Sequence, residues 1–150
     1  MIGPRLVLSA AHCSSSDTRF RVGARTGTSY EAMISIQDSI IHPDYSSSQF
    51  PNDIMMFYLD EATNQSYIQP EQNAITGGTF TVIGLGDTDP GSSLNFASVL
   101  QEVEVDYVDN DTCDDEYKGF GPVTDDMLCA SGPDRDACAG DSGGRKLWST

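Results

Sequence analysis

Apolar residues in this chain come in short bursts separated by polar turns, without the long one-sided stripes of helices. Arg5-Leu6-Val7-Leu8-Ser9 is such a burst and reads as a buried strand, with Ala10-Ala11-His12-Cys13 as a tight helical turn at its end. Residues 14–29 are polar, with a short strand expected at 20–22 and turns at Gly23 and Gly27. Residues 33–36 and 40–42 read as strand, broken by His42-Pro43-Asp44-Tyr45, and residues 46–49 as a polar loop. Asp53 then precedes Ile54-Met55-Met56-Phe57-Tyr58-Leu59, a strand expected to be buried with an acid at its mouth.

Residues 60–78 are polar and read as a connection between two halves, approximately 1–69 and 70–150. Residues 79–86 form a strand ending in glycines. Beyond it Val99, Gln101, Val103, Val105 and Tyr107 alternate against Leu100, Glu102, Glu104 and Asp106, as in a half-exposed strand. The acidic run 109–117 reads as a short solvated helix carrying Cys113, and 127–130 as a short strand. Many short strands with closely spaced turn signals predict an all-β class.

The chemistry concentrates in Asp136-Ala137-Cys138-Ala139-Gly140-Asp141-Ser142-Gly143-Gly144. A bare Gly-Asp-Ser-Gly can be no more than a flexible turn. Glycines around a serine, however, let the backbone aim several N–H groups at one point. Ser142 is then placed to attack a carbonyl while the N–H groups of Gly140 and Ser142 hold the oxyanion. Serine needs a base, usually a histidine oriented by a carboxylate. His12 sits on a rigid turn, although a lone histidine there is also a common structural residue. Asp53 is either a turn residue or, if buried, an acid in need of a partner such as a histidine N–H.

These three segments resemble the trypsin-like (chymotrypsin-fold) serine proteases. The serine loop is similar to their Asp-x-Cys-x-Gly-Asp-Ser-Gly-Gly signature. Leu-Ser-Ala-Ala-His-Cys is similar to the segment carrying their general-base histidine, and Asn52 to Leu59 to the segment whose aspartate orients it. The order His12, Asp53, Ser142 is also that family's. The resemblance implies two Greek-key β-barrels with the site between them, and a serine endopeptidase with Ser142 as nucleophile, His12 as general base and acid, and Asp53 as the orienting residue. His42 stands in the family's structural His-Pro-x-Tyr. Asp136 takes the floor of the specificity pocket, implying cleavage after Arg or Lys, unless it merely pairs with Arg135. Asp141 is the acid that pairs with a freshly cut N-terminal amine during activation. Polypeptide substrates and proteinaceous inhibitors are the implied partners, with no cofactor and no metal. A non-catalytic homologue acting as a protein-binding module is the alternative.

The four cysteines allow three disulfide connectivities, and no zinc-type spacing is present. The resemblance implies Cys113–Cys129 and leaves Cys13 and Cys138 unpaired, because the family's partners for them have no counterpart here. On the same ground both barrels are expected to be incomplete, the chain to be a fragment of low activity, and Asp141 to turn elsewhere or toward water. Arg145 replaces the family's proline.

A formal net charge of -15 over 150 residues argues against nucleic acid and anionic membranes. No apolar run is long enough to span a bilayer, and no signal peptide precedes Arg5. Sequons at Asn64 and Asn110 and the family resemblance point to a secreted protein.

Overall fold

The computed structural model describes residues 1–15, 19–89, 91, 94–118, 121–144 and 146–149. Two four-stranded antiparallel sheets follow one another along the chain. The first contains β1 (Leu6–Ser9), β2 (Arg19–Val22), β3 (Ala32–Ile41) and β4 (Met55–Leu59), in the order β1-β4-β3-β2. The second contains β5 (Thr79–Gly84), β6 (Gln101–Val108), β7 (Cys129–Ser131) and β8 (Lys146–Ser149), in the order β7-β6-β5-β8. A 3₁₀ turn at Ala11–Cys13 follows β1. One α-helix, α1 (Asn110–Glu116), precedes β7, its first turn capped by Asp109, which accepts the Thr112 N–H at 2.9 Å.

Each sheet buries one face. Val7, Val22, Ile34 and Leu59 form the first core, with Phe20, Ile36 and Phe57 packed on it; Phe80, Val82 and Val105 form the second, with Val103 and Tyr107. Full burial of such a side chain contributes about 1.5–3 kcal/mol. Ion pairs contribute far less: the Lys118–Asp115 pair, at 2.7 Å, is exposed on both sides. The halves are stitched together by backbone, with Leu100 donating to the Arg25 carbonyl at 2.9 Å beside a bridge between Thr26 and Val99.

The stretches 33–36 and 40–41 lie in one strand, β3, which ends at Ile41 and whose register with β4 shifts between Ile36 and Asp38. The extra residue at this bulge keeps Ile36 opposite Leu59 and places Ser39 opposite Phe57, so the strand crosses a polar stretch without ending. β4 is not buried throughout. It alternates, Met55 and Leu59 lying inside while Tyr58 is exposed under the Arg5 guanidinium, 4.6 Å from its ring centroid. β8, pairing Val82 with Lys146 and Thr81 with Leu147, lies past the last element expected from the sequence. No helix among the described residues is long and apolar enough to cross a membrane.

Candidate active site

β1 ends at Ser9, and the 3₁₀ turn that follows carries His12 at the mouth of the first sheet. β4, the partner of β1, begins at Met55, so the residues just before it arrive at the same end. Asp53 is thereby brought to His12. Its Oδ1 accepts the His12 backbone N–H at 2.8 Å, and its Oδ2 lies 2.6 Å from Nδ1. An ionised carboxylate only accepts, so the proton of the neutral imidazole sits on Nδ1 and Nε2 keeps a free lone pair. The two side chains are partly open to solvent, 37% for His12 and 24% for Asp53.

The charge on Asp53 is felt nearby. Burial, followed by the Asp53 charge, raises the Cys13 thiol above its ordinary value against a bond from Ser9, and the same two causes raise Tyr45. Phe50 packs edge-on against His12 with ring centroids 6.0 Å apart. Phe50 and Asn52 both hold left-handed backbones, at φ 58° and 54°. Reading the sequence did not single out Phe50; its only signal was an aromatic in a polar loop just before Pro51.

The serine loop backs onto this turn. Gly143 has φ 75°, and a Cβ there would strike Ser9 Oγ and come within 3.4 Å of Cys13 Sγ, so the close approach requires glycine. Ser142 is exposed and has no hydrogen bond to His12. Among the described residues, the N–H groups of Gly140 and Ser142 have no acceptor. Of the two expected outcomes, Asp141 takes the first and turns to backbone N–H groups rather than to water. Its Oδ1 accepts the Gly86 N–H at 2.8 Å and its Oδ2 the Cys138 N–H at 3.0 Å. Gly84 and Gly86 form the cradle, where a Cβ on either would overlap the Asp141 carboxylate. Arg145, considered as a local partner for Asp141, lies outside the described residues.

Asp136 lines a cavity of about 690 Å³ together with Asp87, Glu102, Asp134, Arg135 and Asp141. Its Oδ1 accepts the N–H of Ala137 at 2.7 Å, and it forms no ion pair with Arg135. A second cavity, of about 520 Å³, is bordered by Asp53, His42, Asp126 and Gly143. His42 does local work: its N–H donates to the Ile54 carbonyl and its Nδ1 accepts the Asp44 N–H. Cys113 and Cys129 form a disulfide with Cα atoms 6.3 Å apart, and Cys13 and Cys138 are free thiols. The Asn110 amide donates to the carbonyls of Thr124 and Met127, whereas Asn64 is exposed. No described group of three or more His, Cys, Asp or Glu side chains is arranged to hold a metal.

The family model described as Trypsin matches residues 1–149. Tryptase of Mus musculus is 35% identical over 96% of this chain and 60% of its own length, and a trypsin of Sarcophaga bullata is 33% identical over 96% and 61%. The chain therefore spans about three-fifths of the length of these relatives. The solved structure of neuropsin, a serine protease expressed in the limbic system of mouse brain, superposes with a TM-score of 0.84 at 31% identity, covering 99% of this chain and 70% of neuropsin. Matched by the Trypsin family model over nearly its whole length and sharing its two antiparallel sheets with neuropsin, this chain belongs to the trypsin family and has the chymotrypsin fold.

Proposed function

We propose that the chain carries the hydrolytic centre of a serine endopeptidase, with His12, Asp53 and Ser142 as its triad. The observation that carries this reading is the commitment of both Asp53 oxygens to His12, which leaves Nε2 as the available base. Ser142 Oγ attacks the peptide carbonyl while Nε2 removes its proton. The oxyanion is held by the free N–H groups of Gly140 and Ser142. The imidazolium then protonates the departing amine, and a water activated by the same nitrogen hydrolyses the acyl-serine.

Substrates are polypeptides, cleaved after Arg or Lys. The acidic cavity around Asp136, a carboxylate with no cation paired to it among the described residues, supports this preference. Proteinaceous inhibitors and secretion belong to the same reading. Turnover is slow: the cavity at Asp136 is open, and Asp141 is held by two neutral N–H groups, with no cation bonded to it among the described residues. Losing one oxyanion donor lowers such rates by about 10²–10³-fold.

A fluorophosphonate probe tests the reaction. The expected result is a covalent adduct on Ser142, absent in Ser142→Ala and in heat-denatured chain. A folded chain that takes no probe would instead support a protein-binding module. A peptide panel tests the preference, and equal cleavage after Phe or Leu would refute it.

A further inference from the structure

Asn52 immediately precedes Asp53 and sits at φ 54°, a region asparagine tolerates only at some cost. The turn is tight, with the Ile54 N–H reaching back to the Asn52 carbonyl at 2.7 Å. Something must hold this conformation, and the partner comes from the other half of the chain. The Asn52 N–H donates to Asp126 Oδ2 at 2.6 Å. Asp126 is itself aimed by its neighbours: Oδ1 accepts the Thr124 hydroxyl at 2.5 Å, and the Met127 N–H closes a turn onto the Thr124 carbonyl. That carbonyl also receives the Asn110 amide at the start of α1. A continuous chain of bonds thus runs from α1 through Asp126 and Asn52 to the residue that holds His12.

The electrostatics agree with this geometry. Hydrogen bonds from Thr124 and Asn52 hold the Asp126 carboxyl below its ordinary value, with a smaller contribution from His42. Asp126 and Asp53 border the same 520 Å³ cavity.

We propose that Asp126 is a positioning residue: by accepting the Asn52 N–H across the two halves, it fixes the left-handed turn that presents the Asp53 carboxylate to His12. The proposal rests on the triad reading above, and its first readout does not depend on activity.

The test is residue-resolved amide exchange on the whole chain, comparing Asp126→Ala and Asp126→Asn with the unmodified protein. The expected result for Asp126→Ala is a roughly threefold to tenfold acceleration at Asn52 and at His12, whose N–H is held by Asp53, with β5 and β6 amides unchanged. Asp126→Asn keeps an oxygen acceptor and should preserve most of the protection. Fluorophosphonate labelling of Ser142 should slow in Asp126→Ala by a similar factor. If the unmodified chain takes no probe, the triad reading fails while the exchange experiment still decides the role of Asp126. Unchanged exchange at His12, equal acceleration of the β5 and β6 amides, or the same loss in Asp126→Asn as in Asp126→Ala would each overturn the proposal. Should Asp126→Ala not fold, Thr124→Val removes only the hydroxyl that aims the carboxylate. It should accelerate the same two amides, and no change there overturns the proposal as well.

Discussion

Asp53 gives His12 both of its oxygens, one to the backbone N–H at 2.8 Å and one to Nδ1 at 2.6 Å. The two bonds fix the ring in position and in tautomer together. Asp53→Asn keeps the shape but can place an amide N–H against Nδ1, which moves the ring proton to Nε2 and removes the base. Hydrolysis by this variant should fall by about 10⁴-fold. Steady-state rates with an Arg ester, alongside a circular-dichroism check that the fold is kept, will show it.

Gly84 leaves room for a carboxylate rather than a turn. A Cβ there overlaps Asp141 Oδ1, so Gly84→Ala must push Asp141 away from the Gly86 N–H. The expected loss is about 1–3 kcal/mol, read as a lower urea midpoint. Gly27→Ala is the control. It meets nothing within 4 Å and should stay within about 0.5 kcal/mol.

Two exposed acids should titrate below the ordinary aspartate value of 3.8. Asp109 is lowered chiefly by its bonds from Thr112, and Asp126 chiefly by Thr124 and then Asn52. Both folded values are depressed, so their stabilising contribution is complete above the unfolded value and lost as pH falls through the folded one. The amide shifts of Thr112 and Asn52, followed by NMR, should therefore hold steady down to about pH 4 and move below it. Midpoints above 3.8 would contradict the hydrogen bonds at both sites.

The two sequons should behave differently. The Asn110 amide is bonded to the Thr124 and Met127 carbonyls, and the Thr112 hydroxyl of the same sequon donates to Asp109 at 2.8 Å. Asn64 is exposed. Passed through a secretory pathway, the chain should carry a glycan at Asn64 and none at Asn110. Glycosidase treatment with mass mapping will distinguish the two, and Asn64→Gln should abolish the mass shift.

Local order was legible where chemistry and period coincide. Val103, Val105 and Tyr107 alternate with Glu102, Glu104 and Asp106, and β6 faces the core accordingly. β3 runs on through the polar Gln37 and Asp38 because a bulge absorbs the extra residue without ending the strand, and nothing local in the sequence marks that bulge. His12 and Asp53 were readable because each sits in a segment of strongly restricted composition. The partners of Asp141 and Asn52 were not. Gly86 lies 55 residues from Asp141 and Asp126 lies 74 from Asn52, and nothing local in either pair marks the other. Phe50 escaped for the same reason, since its left-handed backbone is one an aromatic rarely adopts.

The disulfide between Cys113 and Cys129 encloses both Thr124 and Asp126. Their sequence separation of 16 closes a ring whose cross-link removes about 3 kcal/mol of entropic advantage from the unfolded chain. The ring therefore sets the effective concentration of the Asp126 carboxylate at Asn52, as a short tether does for a linked ligand. Reduction would break no bond at His12, Asp53 or Ser142, yet it would dilute the acid that holds the turn beside them. A cross-link between the helix and β7 thus reaches the imidazole through probability rather than through contact.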